Sequence, residues 1–175
     1  MTSLLPDRRR FTLWAFALLL FVVVVVGIDH LRGDLRSYSL LARFLDPHAS
    51  GPIIRWEAHP VTLPVASGLV RARLYLPTDL ARPLGIVLVH GVHHLGIDEP
   101  RLMNFARAAA ETGFAVLTPE ISALTDYHVD PFSITTIGES PVWLQQKLGT
   151  GAVTVIGVSF AGGLALLAAC DPHYA

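Results

Sequence analysis

The sequence predicts an α/β fold: two leading strands and then β-α-β-α-β-α in a partial three-layer sheet, preceded by one transmembrane helix. Three observations predict it. Residues 11–28 are apolar except for Thr12. From Gly85 onward, short apolar runs bounded by turn residues alternate with helix-like stretches, the pattern of a sheet covered by helices. The last apolar run, AVTVI, enters a bend at Gly157-Val158-Ser159-Phe160-Ala161 and an apolar helix follows at once. Composition sets the frame: 175 residues hold one ordinary domain and an appendage. The formal net charge is −1, with 13 basic and 14 acidic residues and scattered arginines, so no nucleic-acid-binding face is expected. The mean hydropathy of +0.51 is high for a soluble domain, and residues 11–28 explain part of the excess.

As a helix, Phe11–Ile28 is about 27 Å long at about 1.5 Å per residue, close to a bilayer core of about 30 Å. A valine run such as Val22–Val26 forms helix poorly in water, but in hydrocarbon each backbone amide needs an internal partner. Arg8, Arg9 and Arg10 precede the run, whereas Asp29, His30, Arg32 and Asp34 follow it. The stronger basic cluster places the N-terminus in the cytoplasm, the bilayer around residues 11–28, and the rest on the extracytoplasmic side. A cleaved signal peptide is the rival reading. Its apolar core is usually about 7–15 residues and ends in a small-x-small site; this run is longer, and Gly27-Ile28-Asp29-His30 offers no such site. A buried helix of a soluble core seldom carries a triple-arginine head. The expected organisation is therefore 1–28 cytoplasmic N-terminus and anchor, 29–50 juxtamembrane linker helix, and 51–175 an incomplete α/β domain.

Leu31, Leu35, Tyr38, Leu41, Phe44 and Leu45 recur at helical spacing, and Asp46-Pro47 should end that helix. Ala49–Pro52 reads as a boundary. Ile53–Leu63 is expected as the first strand. Leu69–Leu76 alternates apolar residues with arginines, as a half-exposed antiparallel strand does. Gly85–Val89 is continuously apolar and fits a strand buried on both faces. Pro100 opens a helix through Thr112 that Gly113 stops. Phe114–Leu117 is the next buried strand. Ser133–Leu148 reads as a helix in which Ser140-Pro141 marks a kink or the true start. Ala152–Ile156 is the last strand; with no strand after it, it would lie exposed at the sheet edge, a template for aggregation.

The strand-bend-helix at Ser159 is the arrangement that presents a nucleophilic serine at the tip of a cramped turn. Side chains two residues either side would meet neighbouring backbone; Gly157 and Ala161 occupy those positions. Gly162 and Gly163 lie inside the following helix, where each costs about 1 kcal/mol relative to alanine, so close helix–strand approach is expected there. Ser159 stands at a helix N-terminus, whose free amides stabilise developing negative charge.

GIVLVHG at 85–91, GFAVLTPE at 113–120 and GVSFAGG at 157–163, in this order and spacing, resemble the N-terminal half of an α/β-hydrolase, similar to esterases and dienelactone-hydrolase-like enzymes. The resemblance covers about Val61–Ala175. It implies that Ser159 is the nucleophile, that the backbone amides of Phe160 and Val92 are the oxyanion donors, and that His90 and Gly91 belong to the oxyanion loop in a structural role. It implies an ester or similar acyl substrate, an acyl-serine mechanism, and neither cofactor nor metal. The family's acid and histidine follow the serine on later loops. Here only Asp171 and His173 follow, some 15 Å away at the far end of the helix, given about 1.5 Å rise per residue. The expectation is therefore an N-terminal fragment of a membrane-anchored serine hydrolase that hydrolyses activated esters poorly or not at all alone.

Other readings stand beside this one. A non-catalytic membrane-tethered remnant or scaffold would keep the bend without turnover. A dinucleotide loop would need glycine where Ser159 stands and an acidic residue about twenty positions on. His90, His93 and His94 lack a carboxylate or cysteine that would complete a zinc site; His93 and His94 more simply line a pocket mouth. Asp126, His128 and Asp130 read as solvated loop or pocket edge, and Cys170, the sole cysteine, as a packing residue on a helix face.

Overall fold

The computed structural model describes the backbone of residues 8–149 and 151–174, and their side chains except those of 8–13, 15, 16 and 29. The chain divides into two compact units, Met1–Ser39 and Leu40–Ala175.

Helix α1 (Arg8–Leu45) is continuous through Gly27 and Gly33. A glycine costs a helix only about 1 kcal/mol, too little to divide two strong helical runs. In the first unit Leu18–Val26, Ile28, Leu31, Leu35 and Tyr38 are exposed. Among the described residues no helix is long and apolar enough to cross a membrane. Part of the expected span, the side chains of 11–13, 15 and 16, lies outside the described residues. The uninterrupted apolar remainder, 17–28, is only about 18 Å of helix. As expected, α1 stops before Asp46-Pro47, where Asp46 Oδ1 accepts the His48 N–H at 2.9 Å.

In the second unit, β1 (Trp56–Val65), β2 (Gly68–Pro77), β3 (Leu84–Val89), β4 (Phe114–Pro119) and β5 (Val153–Gly157) form one sheet in the order β1-β2-β4-β3-β5. β2 pairs antiparallel with β1 and β4, while β3 pairs parallel with β4 and β5. β1 starts three residues later than the sequence suggested. The residues before it are engaged elsewhere: the Ile54 N–H donates to the Glu111 carbonyl at 3.1 Å, and the Arg55 side chain pairs with Asp79 at 2.9 Å. Pro60 and Pro64 are tolerated within β1 because it is an edge strand. β5 is the other edge and only half-buried.

The three layers follow from strand periodicity. Val87, Val89, Leu74 and Leu117 face one side and pack with Ile137 and Leu144 of α4 (Phe132–Leu148) and Ala161 and Leu164 of α5 (Phe160–Ala169). Ile86, Leu88 and Val116 face the other side and pack with Leu102, Ala106, Ala109 and Ala110 of α2 (Pro100–Glu111). Both faces of β3 are thus covered, which is why its sequence does not alternate. α2 is capped by Glu99, whose carboxylate accepts the Leu102 N–H at 2.8 Å, with Pro100 at the first helical position. Gly113 ends the α2 turn at φ +98°, a conformation that side chains resist. α4 runs unbroken through Pro141, neither starting there nor stopping. A 3₁₀ turn at Gly96–Asp98 and the short α3 (Ser122–Thr125) had no counterpart in the sequence reading.

Candidate active site

The bend at Ser159 is built by strain that its neighbours hold in place. Ser159 has φ 54° and ψ −122°, a conformation that costs a side-chain-bearing residue about 1–3 kcal/mol. Three backbone hydrogen bonds lock it: Val158 N–H to the Val89 carbonyl at 2.9 Å, Ala161 N–H to the Val158 carbonyl at 3.1 Å, and Gly162 N–H to the Ser159 carbonyl at 3.0 Å. The bend is so tight that a Cβ on Gly157 would overlap the backbone of Ala161 and Gly162. Ala161, on the other flank, is fully buried in the core with α4, so its one methyl has a place. Gly162 does approach the strand end, a Cβ there lying 3.3 Å from the Gly157 carbonyl, but Gly163 faces open space. The expected close approach therefore holds for one of the two glycines. Ser159 is exposed, and its side chain makes no cap hydrogen bond to α5.

The loop after β3 lies directly against this bend. A Cβ on Gly91 would sit 3.1 Å from the Val158 carbonyl and 3.5 Å from the Ser159 Cβ. Val92 follows at once, and neither its N–H nor that of Phe160 is used in a backbone turn or cap bond among the described residues. The Ser159 hydroxyl is exposed at this junction, and peptide N–H groups beside such a hydroxyl can receive an oxyanion.

His90 is almost fully buried, and backbone engages both of its ring nitrogens. Nε2 accepts the Ile121 N–H at 2.9 Å, which leaves Nδ1 to carry the proton and donate to the Gly91 carbonyl at 2.8 Å. Burial holds the imidazole below its ordinary pKa, with the hydrogen bond to Gly91 and then Glu120 partly opposing the shift. A neutral ring with no free lone pair is a brace between the β3 and β4 ends and cannot take a proton from Ser159. His93 Nδ1 accepts the Leu95 N–H at 3.2 Å, and its ring stacks on His94 with centroids 4.6 Å apart.

Beside Ser159 opens a cavity of about 510 Å³. Gly91, Val92 and His93 line it near the serine; Leu102, Phe105, Ile156, Val158 and Phe44 give it an apolar wall. Phe44 was legible in the sequence only as an apolar position on a helix, and its rank as a cavity residue comes from tertiary packing.

Several other candidates lie elsewhere. Asp130 accepts the Phe132 N–H at 3.0 Å at the start of α4, while Asp126 and His128 belong to the turn after α3. Asp171 accepts the His173 N–H at 2.9 Å in a turn beyond α5, and the His173 ring packs edge-on against Tyr174. Cys170 is exposed instead of packed, because α5 buries Ala161, Leu164 and Ala168 on its inner face. Among the described residues, no group of three or more His, Cys, Asp or Glu is placed to hold a metal ion.

No family model matches the chain. It is 30% identical over 156 residues to the hydrolyase poxO of Penicillium oxalicum, covering 80% of this chain and 37% of that protein. Among solved structures it is similar to the hyperthermophilic esterase of Pyrobaculum calidifontis, with TM-score 0.56, 25% identity, and coverage of 81% of this chain and 47% of the esterase. It is also similar to brefeldin A esterase, a bacterial homologue of human hormone-sensitive lipase (TM-score 0.55, 22% identity, 78% of this chain and 41% of the other). The dienelactone hydrolase of Anabaena variabilis matches with TM-score 0.56 and 20% identity over 68% of this chain and 60% of that structure. The chain thus spans 37% of the length of the Penicillium relative and about half that of the Pyrobaculum esterase.

Proposed function

We propose, from the α/β-hydrolase superfamily relationship that the similarity to the Pyrobaculum calidifontis esterase supports, that the chain carries the nucleophile and oxyanion site of a serine ester hydrolase. The observation that carries the reading is the strained Ser159 set against the Gly91–Val92 loop. Strain of this kind persists only where surrounding structure enforces it, and it clusters at reactive centres.

In the proposed reaction Ser159 Oγ attacks the ester carbonyl carbon, and the carbonyl electron pair moves onto oxygen. The N–H groups of Phe160 and Val92 hold that oxyanion. Collapse re-forms the carbonyl, breaks the bond to the alcohol oxygen, and leaves an acyl-serine; the alcohol takes up the proton that the serine lost. Water then cleaves the acyl-serine to acid and free serine. His90 takes no part in proton transfer, since both its nitrogens are committed to backbone. A base for Ser159 has to be a different group, and none hydrogen-bonds its hydroxyl among the described residues.

Labelling tests nucleophile placement without requiring turnover. The full chain is incubated for hours with a fluorophosphonate at mildly alkaline pH and read by intact mass and peptide mapping. One adduct, located on Ser159 and absent from Ser159→Ala, is the expected result. A folded chain that gains no adduct, or gains it equally in Ser159→Ala, would refute the proposal.

The same reading includes attachment to a bilayer through the N-terminal helix, with the hydrolase-like unit on the extracytoplasmic side. The exposed Leu18–Val26 surface and the arginines at 8–10 support it. The full chain should float with lipid vesicles, and replacing Val22–Val26 by serines should leave it in the soluble fraction; equal flotation of both would sink this part.

A further inference from the structure

Phe44 does not belong to the sheet or to any of the crossover helices, yet it lines the cavity that opens on Ser159. The last turn of α1 is fixed there by an uncommon amount of polar machinery. The Arg43 side chain is 3% exposed; its Nη1 lies 3.5 Å from Glu111 Oε2, and its Nη2 donates to the Pro52 carbonyl at 2.8 Å. Arg107 completes the triad, donating to Glu111 Oε1 at 2.6 Å and to the Arg43 carbonyl at 3.1 Å. Asn104 Nδ2 donates to the Phe44 carbonyl at 2.8 Å. The end of a helix leaves carbonyls without intrahelical partners; here α2 side chains supply two of them. One turn of α2 therefore grips both backbone carbonyls that flank the Phe44 side chain. Phe105, from the same turn, meets the Phe44 ring edge-on with centroids 5.5 Å apart.

We propose that Phe44 is a specificity-determining residue, the outer wall of a subsite for a bulky apolar group on the substrate, with Arg43, Asn104 and Arg107 as its positioning residues. The inference rests on the serine-hydrolase reading and adds the substrate class. A cavity of about 510 Å³ is far larger than an acetyl group needs and falls in the range of about 300–1,000 Å³ that encloses drug-sized ligands. Its wall of Phe44, Leu102, Phe105, Ile156 and Val158 presents no charge to an incoming chain. Glu99 and Arg101 also line the cavity, and they satisfy each other's charge in an ion pair 2.9 Å long. The group accepted is accordingly an aryl-alkyl or medium-length alkyl arm, carried on the carbon skeleton next to the reacting carbonyl.

The test uses two trifluoromethyl ketones on the full chain, one with a methyl arm and one with a 4-phenylbutyl arm. Affinity is read by calorimetry, and addition of Ser159 by the hemiketal signal in fluorine NMR. The long-armed ketone should bind at least about tenfold more tightly, in keeping with about 1.4 kcal/mol or more from the apolar area it buries. Phe44→Ala should cut that ratio severalfold. Phe44→Trp, which fills the cavity and keeps the ring contact, should lower it by selective loss of the long-armed ligand. Circular dichroism identifies any variant that fails to fold, and either folded variant suffices. Ser159→Ala should remove the hemiketal signal and preserve the arm-length ratio. A ratio that both Phe44 variants leave unchanged overturns the inference even if the hemiketal forms; a missing hemiketal with an intact, Phe44-dependent ratio overturns the nucleophile reading alone.

Discussion

Three glycines within seven residues allow the bend at Ser159 to be probed by adding one methyl group at a time. At Gly157 a Cβ would meet the carbonyl carbon and oxygen of Ala161 and the nitrogen of Gly162, all backbone atoms that cannot swing aside. Overpacking of this kind costs about 1–3 kcal/mol. For a chain of this length, 1 kcal/mol moves Tm by about 2–4 °C, so Gly157→Ala should melt roughly 2–12 °C lower than the parent. At Gly163 a Cβ meets nothing within 4 Å. That substitution removes glycine's helix penalty of about 1 kcal/mol and should raise Tm by about 2–4 °C. Gly162 lies between them, with its Cβ 3.3 Å from the Gly157 carbonyl, a clash that a few tenths of an ångström relieve. Its alanine variant should fall between the other two. Calorimetry of the three single variants under one buffer is the assay, and the order Gly163→Ala, Gly162→Ala, Gly157→Ala from most to least stable is the result expected. The reasoning fails if Gly157→Ala melts at or above Gly163→Ala, because the tight bend would then not exist.

Ser159→Gly should raise Tm by about 2–4 °C while abolishing fluorophosphonate labelling, since glycine adopts φ 54° without the strain of about 1 kcal/mol or more that serine bears. His90 is neutral in the fold and its pKa is lowered by burial, so the unfolded chain binds the proton that the folded chain refuses. Its contribution to stability is complete above the unfolded value of about 6.5 and is lost as pH falls below it; urea unfolding from pH 8 to pH 5 should show this decline, with a shallower slope in His90→Ala. That variant should also be less stable at pH 8 by about 1–3 kcal/mol, because the buried Ile121 N–H loses its acceptor. Arg43→Ala strips the buried Glu111 of the buried one of its two cationic partners, leaving it Arg107, and should cost about 1–3 kcal/mol in a urea melt; a loss well under about 1 kcal/mol, the scale of an exposed pair, would show that the triad is solvent-screened.

What the sequence disclosed follows physical range. The buried strands Leu84–Val89 and Phe114–Pro119 were legible because a strand covered on both faces must be apolar throughout. The bend at Ser159 was legible because its steric demand falls on Gly157 and Ala161, two residues away in the chain. The N-terminus of α2 was marked by Pro100, and its end by Gly113 at positive φ. The start of β1 was misplaced because Ile54 and Arg55 bond to Glu111 and Asp79, partners 57 and 24 residues away that no local pattern reports. The alternative that α4 starts at Pro141 fails for a related reason: the helix already runs from Phe132, with Ile137 and Leu144 buried on either side of the proline. Phe44 belongs to this second class, since only folding brings residue 44 beside residues 105 and 159.

The two ends of the cavity are held by different physics, and the difference bears on its use. At the serine end the backbone is under strain, fixed by three main-chain bonds and by the absence of a side chain at Gly157. At the Phe44 end the backbone is an ordinary helix, and position is enforced by an ion triad centred on the buried Glu111 and by two side-chain-to-carbonyl bonds. Buried ion pairs contribute little net stability over apolar replacements, because desolvation offsets most of the attraction. They do impose one geometry, since a shifted Arg43 would leave the Glu111 carboxylate buried without that partner. Replacing Arg43, Glu111 and Arg107 together by apolar residues of similar volume should therefore preserve stability better than Arg43→Ala alone, yet loosen the Phe44 wall and blunt selectivity for the long-armed ketone. A triple variant that keeps full selectivity would place the determinant in the Phe44–Phe105 ring contact itself, not in the polar clamp behind it.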